Sequence, residues 1–297
     1  MSIKFRTYVD PADFVNVSRF LTVHFRRGNK DGNWLQPIWE YMHSHPNLDV
    51  TALDRIGIWE CDGEVVAVAH YESTPGEVFF EFHPAFQNLK PELLDYAEHH
   101  LLGISEEGQS FARIYVHDAD SALEAILQER GYSLDEDYNR PMSWLPLLED
   151  LPVPELPTGY RVQSLADEND LVKINRVLWR GFNHDGEPPD ELSGRIKMQS
   201  TPNFRKELTM VAVAPNGQYA AFAGLWYQPE NRIAYVEPVA TDPQYRRMGL
   251  GKAAVIEGLR RCAALGALEA FVGSEQLFYQ AMGFRKIFDS RCWLKFF

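Results

Sequence analysis

The chain repeats its own pattern, and no other feature limits its possible folds as much. The run Asp10–Leu21 (DPADFVNVSRFL) aligns without gaps to Asp167–Leu178 (DENDLVKINRVL). Each run is preceded by a short strand, Lys4–Val9 or Tyr160–Leu165. Asp10 and Asp167, at the heads of the runs, stand in N-cap position before apolar residues at helical spacing. Farther along, Asp62-Gly63 and Asn216-Gly217 are hairpin-turn dipeptides between apolar strands. Near the end of each half, Ile126–Tyr132 (ILQERGY) matches Phe278–Phe284 (FYQAMGF). Three matches in the same order indicate a duplicated domain rather than chance. Residues 148–158 are proline-rich, lack apolar periodicity and read as an extended linker. The expected division is a domain over 1–147, the linker 148–158 and a second domain over 159–297.

Each half reads as strand, helix, helix, three strands, helix, strand, helix and two strands. In the second half, Leu208–Ala214 and Tyr219–Tyr227 form a hairpin, and Ile233–Thr241 is the next strand. Leu250–Leu265 is a long helix, Leu268–Val272 a strand and Glu275–Met282 a short helix. Phe284–Asp289 and Arg291–Phe297 read as two closing strands. An antiparallel run that turns parallel around one helix gives a mixed α/β sheet covered by helices.

Composition removes several classes of function. A net charge of −13 argues against nucleic acid, whose affinity rests on Lys and Arg neutralising phosphates. No apolar run is long enough to cross a bilayer, and the start Met1–Arg6 lacks a signal peptide's apolar region, so a cytoplasmic protein is expected. Cys61, Cys262 and Cys292 are far apart, and neither His43/His45 nor His99/His100 has the spacing of ligands on one helix face. Neither a disulfide framework nor a metal is expected.

The stretch Tyr235–Ala254 (YVEPVATDPQYRRMGLGKAA) carries the chemistry. A strand ends near Thr241, a tight loop with Pro243, Gly249 and Gly251 follows, and a helix begins. Unpaired N–H groups and the positive end of the helix dipole suit a pyrophosphate there. Glycines let the backbone approach the anion, and Arg246, Arg247 and Lys252 add positive charge. Arg246-x-x-Gly249-x-Gly251 resembles the acetyl-CoA signature Q/R-x-x-G-x-G/A of the GNAT superfamily of N-acetyltransferases, and the order of elements in the second half is similar throughout.

The resemblance implies two tandem GNAT-like acyl-CoA N-acyltransferase domains. It implies that the backbone of Val239, Ala240 and Thr241 pairs with the pantetheine arm as an added strand would. The loop Arg246, Arg247, Met248, Gly249, Leu250, Gly251 and Lys252 would wrap the pyrophosphate, and Leu268–Val272 would splay from Ile233–Thr241 to leave a slot for the thioester. Phe278–Phe284 resembles the family's F/L-Y-x-x-x-G-F segment, which places Tyr279 as general acid for the departing thiolate. Many relatives have an Asn shortly before this Tyr. Here the residues are Gly273-Ser274-Glu275-Gln276, which puts that cofactor contact in doubt. An amine of pKa about 10.4 is almost wholly protonated at neutral pH, so a base or a water relay helps it attack. Glu237 is the candidate base, on the face of Val239 by simple strand alternation; it is equally readable as a structural carboxylate beside Pro238. Trp179, Arg180, Phe182, Asn183 and His184 would wall the acceptor pocket.

The first half, at the matching place, reads Glu77–Leu93 (EVFFEFHPAFQNLKPEL), with no glycine after the strand and prolines at Pro84 and Pro91. Leu127 stands where Tyr279 stands. It reads as a degenerate copy without a cofactor loop. The expected activity is acetyl-CoA-dependent acetylation of a primary amine on a small molecule, in a monomer or a homodimer. Acetylation of protein N-termini or lysines remains open, as does a non-catalytic acyl-CoA sensor. The acidic loop Asp185, Glu187, Asp190 and Glu191 suits a cationic acceptor of either kind.

Overall fold

The computed structural model describes residues 2–147, 151–153 and 155–297. Of the expected linker, Leu148, Glu149, Asp150 and Pro154 lie outside the described residues, as does Met1. The elements are β1 (Ile3–Thr7), α1 (Ala12–His24), α2 (Gln36–Ser44), β2 (Gly57–Cys61), β3 (Glu64–Tyr71), β4 (Glu77–Phe82), α3 (Lys90–His100), β5 (Gly103–Ile104), β6 (Ser110–His117), α4 (Ser121–Glu129), β7 (Ser133–Leu134) and β8 (Arg140–Pro146). They continue with β9 (Arg161–Ser164), α5 (Leu171–Gly181), α6 (Ser193–Gln199), β10 (Met210–Val213), β11 (Tyr219–Gln228), β12 (Ile233–Thr241), α7 (Leu250–Ala264), β13 (Glu269–Val272), α8 (Leu277–Gln280) and β14 (Arg285–Phe296). Among the described residues no helix is long and apolar enough to cross a membrane.

The chain forms two compact units, and they do not follow the two halves of the sequence. The first unit is Met1–His43, Asn47–Met142 and Ile287–Phe297; the second is Ser44–Pro46 and Ser143–Lys286. In the first, neighbouring strands run β1-β2-β3-β4-β6-β14, antiparallel except for the parallel pair β4–β6. In the second they run β9-β10-β11-β12-β13-β8, antiparallel except for β12–β13. The division at 147 and 159 therefore needs correcting at both ends. Phe271 of β13 pairs with Trp144 of β8, and Ile114 of β6 pairs with Trp293 of β14. Each half lends its last strand to the other unit. The two closing strands read from the sequence are a single strand, β14.

The helix caps need a correction too. Asp170, not Asp167, caps α5, accepting from the N–H groups of Val172 and Lys173 at 3.0 Å. Asp167 instead closes the preceding turn on Ser164. In the first unit Pro11 occupies the cap position of α1, and the buried Asp13 accepts from Val9 N–H at 2.7 Å and binds Arg6. Both runs have the form Asp-x-x-Asp, and the second Asp of each makes the bond that organises the helix start.

Three local features of the second unit shape its site. Strand β11 is buried along its whole length, as its continuous apolar run requires of a central strand. Helix α7 lies close on the sheet because a Cβ on Gly258 would come within 2.6 Å of Leu225, and one on Gly251 within 2.6 Å of Thr241 Oγ1. Finally, β12 and β13 pair only at Ile233–Glu269, Ala234–Ala270 and Tyr235–Phe271, so the rest of β12 has an open edge on that side.

The exchanged strand gives a direct test. Trp293 on β14 is 5% exposed and belongs to the first unit's core. Trp293→Ala is expected to lower the stability of the first unit by about 3–5 kcal/mol. Native-state hydrogen exchange should show lost protection in β3 and β6 while β11 keeps its own. Loss confined to β11 and β12 would place the last strand with the second unit instead.

Candidate active site

The open edge of β12 has a defined polarity. Asp242 N–H donates to Ala220 O at 3.0 Å, so alternation turns the backbone groups of Ala240 toward β11 and those of Val239 and Thr241 toward the open side. Of the three residues expected to pair with a pantetheine arm, the backbone groups of two face the opening and those of Ala240 do not.

Below this edge β12 carries a bulge. Val239 pairs with Ala223 and Val236 with Leu225, so Glu237 and Pro238 together face Gly224. The bulge is packed tightly: a Cβ on Gly224 would meet Glu237 O at 2.4 Å, and Trp226 Nε1 donates to that same carbonyl at 2.8 Å. Two residues in one register place break the alternation between Glu237 and Val239, so Glu237 does not share the face of Val239 as simple alternation predicts.

The loop after β12 has a backbone geometry that suits an anion. Arg247 and Gly249 are in the left-handed region, at φ +65° and φ +76°, and flank Met248 just before α7 starts at Leu250. Alternation of this kind curls successive N–H groups inward into a nest. The first hydrogen bond closing the helix runs from Ala253 N–H to Gly249 O, so the N–H groups of Leu250, Gly251 and Lys252 belong to the open first turn. A Cβ on Gly249 would meet nothing within 4 Å, so only its backbone conformation demands glycine in the free protein. Arg247 is exposed and without a partner among the described residues.

The structure reassigns the other cations. Arg246 reaches back to donate to Thr241 O at 3.2 Å, Gly181 O at 3.0 Å and Asn183 Oδ1 at 2.6 Å. Lys252 Nζ donates to Ala281 O at 3.2 Å. In return, the fully buried Asp242 accepts from Arg180 Nε at 2.7 Å and Arg176 Nη1 at 3.3 Å, and also caps the turn through Gln244 N–H at 2.9 Å. Gly181 allows this approach, since a Cβ there would lie 2.7 Å from Ala240 Cβ. The end of α5 is thus fastened to the loop from both sides. Sequence reasoning missed Asp242 and Gly181 as organisers; their one signal is position, beside the strand end and at the helix end.

Of the expected pocket wall, Arg180 and Asn183 are engaged in this fastening. Trp179 and His184 stack at 4.4 Å, and Trp179 Nε1 donates to Asp185 O, while Phe182 is half exposed. In the acidic loop Glu187 lies 3.8 Å from Arg180 and Glu191 accepts from Ser193 N–H.

Tyr279 lies on α8, buried, edge-on to Phe278 and Phe284 with ring centroids at 4.9 and 5.9 Å. Burial raises its pKa well above that of a free phenol, and the nearby Glu237 carboxylate raises it further. The structure thus places Tyr279 and Glu237 within electrostatic reach of each other. Gly283, three residues beyond the end of α8, has φ +98°, matched by Gly131 at φ +82° in the first unit. Just before α8, Ser274 Oγ takes Gln276 N–H.

The first unit keeps the frame without the site. Its β4–β6 pairing ends after Val78–Ile114, and His83-Pro84 stands where Asp242-Pro243 stands, His83 accepting from Ala85 N–H. No left-handed residue occurs from Glu77 to Leu93.

Comparison with known proteins agrees with this geometry. The model of the acetyltransferase (GNAT) family matches residues 171–284. A mycothiol acetyltransferase of Kineococcus radiotolerans is 27% identical over 197 residues, which is 63% of this chain and 63%, just under two thirds, of that protein. A glucosamine 6-phosphate N-acetyltransferase of Trypanosoma brucei brucei is 30% identical over 133 residues, 41% of this chain and 86% of its own length. Among solved structures, a GCN5-related N-acetyltransferase from Sphaerobacter thermophilus superposes with TM-score 0.67 at 18% identity, covering 99% of this chain and 95% of that one. A tandem GNAT protein from the clavulanic acid biosynthesis pathway gives TM-score 0.64 at 13% identity, covering 99% and 98%, a likeness of fold. Since most of a named N-acetyltransferase is matched at 30% identity, and the family pattern runs from the capped helix α5 to Phe284, the chain belongs to the GNAT family of acetyltransferases.

Proposed function

We propose that the second unit transfers an acetyl group from acetyl-CoA to a primary amine of a small molecule, by direct attack of the amine on the thioester. One observation carries the reading: a left-handed loop opening α7 lies at the end of a strand whose edge is unpaired with its neighbour strand beyond Tyr235. That edge offers backbone donors and acceptors to an amide-bearing arm, and the loop offers N–H groups and Arg247 to a pyrophosphate.

Acetyl-CoA supplies the activated acetyl group. The acceptor nitrogen forms a bond to the carbonyl carbon and the carbon–sulfur bond breaks. The amine proton passes to the Glu237 carboxylate, directly or through water, and the Tyr279 phenol gives its proton to the departing thiolate. Burial suits Tyr279 to that role, because it keeps the phenol protonated until a thiolate appears beside it. The name of one sequence relative, a glucosamine 6-phosphate N-acetyltransferase, favours an amino-sugar-like acceptor. The exposed acidic loop at Asp185, Glu187, Asp190 and Glu191 keeps a protein amine as the second reading. Release of thiol with a panel of small amines, set beside a panel of lysine and N-terminal peptides, separates the two.

Calorimetric titration is expected to give one acetyl-CoA per chain, and Gly249→Val is expected to remove it with the fold retained. A β-branched residue at φ +76° strains the loop by about 1–3 kcal/mol and puts methyl groups where the anion must approach. Near-normal affinity in the folded variant, or two sites in the parent chain, would overturn the loop assignment.

Tyr279→Phe is expected to lower kcat by about 10²-fold or more with little change in cofactor affinity. Because the phenol pKa lies above its usual 10.0, the acid form survives through the neutral and mildly alkaline range. The kcat profile should therefore rise with pH as the amine deprotonates, with no Tyr279 fall below about pH 10. Unchanged turnover under conditions where chemistry limits the rate would remove Tyr279 from the mechanism.

A further inference from the structure

In the first unit the slot between the parted parallel strands has been filled from within. Phe82 corresponds to Thr241, and because His83 N–H donates to Val66 O, the backbone groups of Phe82 face the opening. They are already taken. Asn33 Oδ1 accepts from Phe82 N–H at 2.8 Å and Asn33 Nδ2 donates to Phe82 O at 3.0 Å. One side-chain amide, 4% exposed, makes the pair of bonds that an arriving amide would make. The neighbouring Trp34 N–H is held by Glu81 at 2.7 Å, and Glu81 binds His70 at 3.0 Å. An acyl-CoA arm has no backbone groups left to join at Phe82.

A cavity of about 340 Å³ nevertheless remains beside this strap. Trp34, Phe79, Phe82 and Tyr115 line it, with Arg26 and Lys30 among its polar residues. The acids of the cavity are satisfied internally. Asp31 accepts from Arg26 N–H at 2.8 Å, Glu81 is bound as above, and Asp120 pairs with Lys90 at 2.6 Å. By contrast, neither the Arg26 guanidinium nor the Lys30 ammonium has a partner among the described residues, and both are exposed. The cavity's three cations, Arg26, Lys30 and Lys90, equal its three acids, Asp31, Glu81 and Asp120, in number, but among the described residues only Lys90 is committed to an ion pair, which leaves the Arg26 and Lys30 head groups able to pair with an anion at an aromatic-lined cavity.

We infer that the first unit is a binding site for a small organic anion: a flat apolar body seated among Trp34, Phe79 and Tyr115, with its carboxylate, sulfonate or phosphate held by Arg26 and Lys30. The duplicated slot has not simply decayed. Asn33 closes its backbone edge at Phe82, and it keeps a cavity of different selectivity.

The full chain can be titrated with anilinonaphthalene sulfonate, an anionic aromatic fluorophore, and with phenylnaphthylamine, the same ring system without the anion. Saturable binding of the sulfonate is expected. Arg26→Ala/Lys30→Ala should weaken it by about tenfold or more, with the neutral probe and the melting temperature unmoved. The charge-conserving pair Arg26→Lys/Lys30→Arg should restore most of the affinity. Absence of saturable binding, an unchanged affinity in the double alanine variant, or equal losses for both probes would overturn the inference. None of these readouts involves acetyl transfer, so the inference stands or falls apart from the proposed activity.

Discussion

A parallel pair of strands that separates early leaves one strand with an unpaired backbone edge, and such an edge must find partners or remain in water. The whole arrangement follows from how each unit meets that demand. In the second unit, pairing of β12 with β13 ends at Tyr235–Phe271, and beyond it the groups of Val239 and Thr241 face the open side, where among the described residues only Thr241 O is engaged, by Arg246. In the first, pairing of β4 with β6 ends at Val78–Ile114, and Asn33 closes the edge at Phe82. The frame is common to both: His83-Pro84 and Asp242-Pro243 cap the same short turn, and Gly131 and Gly283 close the same late turn in left-handed conformation. Divergence is concentrated where the edge opens. One copy leaves it largely open, and the other satisfies it at Phe82 with a side chain.

An available edge is useful only if the loop above it holds still. The buried Asp242 carboxylate fixes the loop by accepting from Arg180, Arg176 and Gln244 N–H together. A buried charge is stable only when its partners satisfy it, and removing one partner of such a pair typically costs about 3–5 kcal/mol, less where the partner is partly exposed. Arg246 completes the fastening by returning to Gly181 O and Asn183 Oδ1. The end of α5, which leads into the acidic loop, is therefore tied to the strand end and to the loop that opens α7.

Much of this was legible because it is local. The glycine loop, the two hairpin dipeptides and the repeated Asp-x-x-Asp runs are short patterns whose backbone requirements can be read directly, and the loop's left-handed Gly249 lies where the pattern puts it. The errors are long-range. Strands β8 and β14 read alike from either half, and nothing in their alternation says which unit they complete; the register of β13 with β8 and of β6 with β14 decides it. Arg246 beside glycines reads as a phosphate ligand, but its acceptors at Gly181 and Asn183 are 65 and 63 residues away. Asn33 lies 49 residues from Phe82 and belongs to no motif. The cap at Asp170 was misplaced for a different reason: Asp167 is an equally good capping residue by type, and only the turn on Ser164 shows that it is committed elsewhere.

The bulge at Glu237 and Pro238 links the frame to the proposed chemistry. Had β12 stayed regular, alternation would have fixed which side of the sheet each side chain takes, and the carboxylate would have been one more strand position. With two residues facing Gly224 in one register place, the strand turns at the point where parallel pairing has already ended. The Glu237 carboxylate remains partly exposed, within electrostatic reach of a phenol that burial keeps protonated. A base that exchanges protons must meet water or substrate, and an acid reserved for a late step is best kept from both. The bulge and the short helix α8 give the two groups those contrasting environments, which in the proposed reaction would let one take a proton before attack and the other hold one until sulfur leaves.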